Sequence, residues 1–169
     1  MTNLPDGAGE ELPGTIKIIG IGQSLRGDDG AGLAAVRFWQ DKFMVNRERA
    51  DIQVELAELP GLELLNLLDG TSLAILVDAV RSEAKVGTIH LLSMDQLGSF
   101  MDGSGSAHGW GVAETLSLGQ KVMPSGIPKK MYVIGIEAGN LSLGESLSPE
   151  VELAFPEVAS LIEQLVKSG

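Results

Sequence analysis

Apolar residues along this chain fall into short β-branched runs that alternate with stretches repeating every three or four residues. The first run, TIKIIGIG (Thr15–Gly22), is nearly unbroken and ends in glycine, the pattern of a strand buried on both faces. Beyond the loop Gln23–Gly30, Leu33, Val36, Trp39 and Phe43 recur at helical steps. DIQVELAEL (Asp51–Leu59) alternates Ile52, Val54 and Leu56, as a half-exposed strand does. GLELLNLLDG (Gly61–Gly70) reads as a short Leu-rich helix stopped by Gly70. LAILVDAV (Leu73–Val80) is the most strongly apolar run and predicts the central strand. GTIHLLS (Gly87–Ser93) predicts another short strand, with His90 facing the surface.

Residues 94–107 are rich in Gly, Ser and Asp and predict a long surface loop. WGVAETLSLGQKV (Trp110–Val122) predicts a helix, and PSGIPKK a turn before the strand KMYVIGIE (Lys130–Glu137). The tail predicts two helical pieces: Pro149 follows Ser148 at a first-turn position, and Pro156 opens the second. In that second piece Val158, Leu161, Ile162, Leu165 and Val166 form one apolar stripe. The order β-α-β-α-β-β-α-β-α implies a three-layer α/β/α architecture. Residues 1–14, polar and rich in Pro and Gly, read as a flexible tail ahead of a single domain over 15–169.

Composition narrows the chemistry. A net charge of −11 and a pI near 4.5 argue against nucleic-acid or anionic-membrane partners. The absence of cysteine rules out disulfides, thiolate metal ligands and a Cys nucleophile. MTNLPDGAGEELPG lacks the basic flank and apolar centre of a signal peptide, and no run is long enough to span a bilayer, so a cytoplasmic location is expected.

GIGQSLRGDDGAG (Gly20–Gly32) raises the first candidate chemistry. Its two glycines suggest a dinucleotide loop, but that fingerprint requires glycine where Leu25 stands, and no P-loop lysine is present. Asp28 and Asp29 would also repel a phosphate there. One Asp is explained by helix capping; a second adds repulsion unless a cation or proton lies nearby. Asp78 ends LAILVDAV at the carboxyl end of a strand, where open α/β sheets bind ligands. It either receives loop N–H bonds or belongs to a site. His108, in SGSAHGWG, is either a solvated loop residue or a ligand. Together Asp29, Asp78 and His108 follow three different strands, and one His with two carboxylates is a ligand set for Ni, Zn, Mn or Fe.

In order and spacing, IKIIGIGQSLRGDDGAGLAAV, AILVDAV, SAHGWGVAETLSL and VIGIEAGNLSLGESLSPEV resemble the hydrogenase maturation endopeptidases. The resemblance implies a phosphorylase/hydrolase-like fold, with a mixed, mostly parallel five-stranded sheet between helices and one antiparallel strand. It implies a hydrolase that trims the C-terminal extension from the [NiFe] hydrogenase large-subunit precursor. The family's metal-coordinating acids fall on Asp29 and Asp78, and its histidine on His108; the two acids are also the catalytic candidates. Nickel is implied as the metal, presented by the precursor rather than held permanently, with another divalent ion able to substitute. Two features depart from the pattern: Gln23 stands where the family has Asn, and LAELPG (Leu56–Gly61) lacks an Asp-Gly-Gly-Thr motif. The alternative from another class is a non-enzymatic nickel-binding chaperone or sensor using the same ligands.

Overall fold

The computed structural model describes residues 14–45, 49–103, 105–106 and 111–169. Its centre is a sheet in which β1 (Ile16–Gly22), β2 (Ile52–Glu58), β3 (Leu73–Arg81), β4 (Ile89–Ser93) and β6 (Lys130–Glu137) run in the order β2-β1-β3-β6-β4. β1, β2, β3 and β6 are parallel; β4 pairs antiparallel with β6. A two-residue strand, β5 (Gly105–Ser106), adds an antiparallel bridge to the end of β3. The sheet is the mixed five-stranded one expected, with β3 in the middle as its unbroken apolar run requires.

One face of the sheet is covered by α1 (Ala31–Phe43) and α5 (Pro149–Ser168), the other by α2 (Glu63–Leu68), α3 (Met94–Gly103) and α4 (Val112–Val122). β3 feeds both layers by alternation: Leu73, Ile75 and Val77 pack under α1 and α5, while Ala74 and Leu76 face the other helices. Strand β2 is an edge, and its exposure grows toward Leu56, which lies 37% open.

Three expectations need correction. The segment after β4 begins as a helix, α3, rather than a surface loop. Its apolar residues Met94, Leu97 and Phe100 return every third position, and Leu97 is buried. Gln96 Oε1 accepts from the Ser93 N–H at 3.0 Å and from Ser93 Oγ at 3.2 Å, half of a capping box at the helix start. The tail forms one continuous helix, with Pro156 inside it. Pro156 is on the solvent face, so the carbonyl its ring leaves unbonded can meet water, while buried Phe155, Val158 and Ala159 hold both flanks to the sheet. His90 is half-buried rather than surface-facing: its Nε2 lies 3.0 Å from Glu137 Oε2 and its ring packs on Phe100 of α3.

Candidate active site

Between β1 and α1 the chain makes one 3-10 turn, Gly27–Gly30, that carries both acids of the GDDG stretch. The turn has little room. A Cβ on Gly22 would collide with the Asp29 carbonyl, and one on Gly32 with the carbonyls of Ile21 and Val77. Gly20 likewise admits the Gly32 carbonyl and the Leu33 backbone. These glycines let the first helix seat against the ends of β1 and β3, which accounts for the G-x-G pattern without a phosphate.

Asp28 is completely buried and does not cap its own helix. Its Oδ2 accepts from the N–H groups of Gly139 at 2.8 Å and Asn140 at 2.9 Å, and from Ser148 Oγ at 2.6 Å; its Oδ1 accepts from the Ser148 N–H. Its own N–H donates to the Asn140 carbonyl at 2.8 Å. Burial by itself would raise the Asp28 pKa, but the hydrogen bonds from Ser148, Asn140 and Gly139 outweigh it and hold the carboxyl below its ordinary value. The helix capping expected of one Asp of the pair is therefore not the role of Asp28, which latches the turn to the loop between β6 and α5.

Asp29 is 2% exposed, and its backbone closes the turn: its N–H donates to the Arg26 carbonyl at 3.1 Å and its carbonyl accepts from Gln23 at 3.0 Å. Asp78, 4% exposed, stands on β3 one residue beyond the last pairing with β1, opposite Gly135 of β6. Its Oδ1 accepts from the Ala79 N–H at 2.8 Å. The 3-10 turn packs against both β1 and β3, so Asp29 and Asp78 share the carboxyl end of the sheet. A narrow space of about 20 Å³, with room for roughly one water, opens beside Asp78 among Leu92, Leu97, Phe100, Val112 and Val133. His108 lies outside the described residues, and among the described residues no three His, Cys, Asp or Glu side chains gather as a metal-ligand group. A wider cleft of about 510 Å³ between Ser93, Gln120 and Lys130 opens at the opposite end of β6, away from both acids.

Sequence reading missed a further buried carboxylate near this end. Glu137, 1% exposed, closes β6 and accepts from the Ser82 N–H, from Ser82 Oγ at 2.8 Å and from His90. It fixes the segment that leaves β3 just beyond Asp78. The signal was present: KMYVIGIE ends on an acid as LAILVDAV nearly does.

Comparison with known proteins shows the family of the chain. The family model described as hydrogenase maturation protease (HycI) matches residues 48–165. The chain belongs to the hydrogenase maturation protease family. HupD of Thiocapsa roseopersicina, described as a hydrogenase expression/formation protein, is 27% identical over 157 residues, covering 91% of this chain and 69% of its own. The [NiFe] hydrogenase maturation protease HybD from Thermococcus kodakarensis superposes with a TM-score of 0.71 at 26% identity, over 89% of this chain and 98% of that one. The hydrogenase maturating endopeptidase HybD from E. coli shares the fold, with a TM-score of 0.77 at 23% identity over 92% and 94% of the two chains. The protein is thus a hydrolase of the maturation protease class, and a purely metal-binding module is set aside. Among the described residues of this maturation protease, no helix is long and apolar enough to cross a membrane.

Proposed function

We propose that this protease removes the C-terminal extension from the large-subunit precursor of a [NiFe] hydrogenase after nickel insertion, in the cytoplasm, and that Asp29, Asp78 and His108 engage the inserted nickel. The supporting observation is the near-complete burial of two carboxylates at the same end of adjacent parallel strands. Two acids gathered there offer a pair of hard oxygen ligands to a divalent cation. A nickel ion carried in by the substrate supplies that cation only when the precursor is ready for cleavage. Two carboxylates and an imidazole suit nickel, and would accept another divalent ion in its place.

The metal enters this scheme as part of the substrate. Hydrolysis then needs a water to attack the scissile carbonyl carbon while a carboxylate takes its proton; the C–N bond breaks and the departing amine is protonated. Asp29 and Asp78 both qualify as the base, and as a pair they would share a proton as aspartic proteases do. The chain has no cysteine to open a thiol route.

The test is incubation with nickel-loaded and metal-free precursor, read by intact mass. Loss of a C-terminal peptide from the loaded precursor alone is expected. Asp29→Ala should fold and yet lose at least about a thousandfold in rate, the scale of removing a general base together with a metal contact. Wild-type turnover by the folded variant would discard the assignment of Asp29.

A further inference from the structure

Asp78, Gly135 and His90 stand in one row across three strands: Gly135 of β6 pairs with Asp78 of β3 on one side and with His90 of β4 on the other. Partners in a row point to the same face, here the face of α3 and α4, where Ala74, Leu76 and Leu92 also pack. Gly135 puts no side chain between the other two, and a Cβ there would come within 2.9 Å of Val80. The row therefore stays open beside Asp78. The His90 ring packs on Phe100 of α3 with centroids 4.9 Å apart, and its Nε2 lies 3.0 Å from Glu137 Oε2. Phe100 is thus held as one wall of the space beside Asp78.

That space has a buried floor, Leu97 and Val133, and a half-buried rim, Leu92, Phe100, Val112 and Ala113. It opens outward beside an acid that is itself buried. Among its described lining residues, Asp78 is the one with a polar side chain. A buried water makes about three hydrogen bonds. Here it would find a single side-chain partner, whose Oδ1 already accepts from the Ala79 N–H. A short hydrocarbon group needs no such partners and leaves water behind on entering. At about 20 Å³ the space is sized for a methyl or an isopropyl rather than a ring.

We propose that this space is the pocket for a short aliphatic side chain of the protein substrate, carried by a residue flanking the bond that is cut. The inference rests on the cleavage reading above and adds to it what selects the place of cutting. The choice of occupant follows from Asp78, which lines the space. As base or as metal contact, Asp78 acts within reach of the scissile carbonyl. The side chains that come alongside it therefore belong to the residues on either side of that bond. Phe100 from α3 and Ala113 from α4 limit the size of what enters, and one methylene too many or too few in an apolar pocket changes discrimination about tenfold or more.

The experiment measures kcat/KM of the full chain on nickel-loaded precursors carrying Ala, Val, Phe or Asp at each position flanking the cut, which the product mass locates. At one of the two positions wild type should favour Ala and Val over Phe by at least about tenfold, and over Asp by about a hundredfold. Phe100→Ala widens the space and should bring Phe at that position to within about threefold of Val. Ala113→Leu fills it and should slow Val about tenfold relative to Ala. Preferences at the other position should stay as in wild type. Opposite shifts at a single position are a result that mere loss of stability would not give, and either variant decides the matter if the other fails to fold. No preference at either position, or one that the folded variants leave unmoved, would overturn the pocket while the cleavage reading stands. A wild type that cuts none of the precursors would fault the cleavage reading and overturn the pocket with it.

Discussion

Asp28 shows how much one side chain can hold. Its carboxylate receives three backbone N–H groups and one hydroxyl from residues more than a hundred positions away. Asp28→Asn replaces one accepting oxygen by a donor that faces other donors, and should cost about 3 kcal/mol at neutral pH. The pH dependence has a definite sign. The folded pKa lies below the unfolded one, so the stabilisation is complete above the unfolded value and lost as pH falls through the folded value. Urea denaturation of both proteins across the acid range should show the gap narrowing toward low pH. A gap that stays constant, or widens in acid, would rule out the ionised latch.

Elements are also joined by a buried acid, Glu163. Trp39 of α1 is fully buried and its Nε1 donates to Glu163 Oε1 of α5 at 3.0 Å; Arg49 Nη1 reaches the same oxygen at 3.1 Å. Glu163→Ala should destabilise by about 3 kcal/mol, because it strands a buried indole N–H and a guanidinium. Glu163→Gln keeps an acceptor for the indole and should lose about half as much. Equal losses by chemical denaturation would show that charge, rather than the shared acceptor, joins the two helices. The same helix carries Pro156 without breaking, since packing on both sides of it outweighs the one lost backbone bond.

For the whole molecule, the sheet order sets a gradient of stability. β3 has neighbours on both sides and helices on both faces, while β2 is an open edge. Native-state hydrogen exchange should find the slowest amides in β1, β3 and β6. In Asp28→Asn, residues 23–30 and 139–148 should quicken together, with β3 unchanged. Independent behaviour of those two segments would show that the latch does not couple them. The consequence for function is that the turn carrying Asp29 is braced from one side by the core and from the other by the loop between β6 and α5.

Local pattern determined most of the fold. Unbroken apolar runs ending in glycine or acid become buried strands because both faces must leave water, and three- or four-residue recurrence becomes helix because one face must. The Gly20–Gly32 stretch and LAILVDAV likewise put Asp29 and Asp78 toward the carboxyl ends of two strands from local pattern alone. Helix α3 escaped because its Gly, Ser and Asp content outweighs three apolar residues, although the SMDQ start was legible. Pro156 misled because propensity is local, whereas the packing that overrides it comes from the sheet. The sequence by itself determined which residues are apolar, in what period, and where acids interrupt them. Only the tertiary structure decided that Asp28 serves the loop before α5, that Glu137 holds Ser82 and His90, and that Glu163 joins Trp39 to Arg49. Those pairings join residues far apart in the chain, and a hydrogen bond depends on distances that no local period encodes.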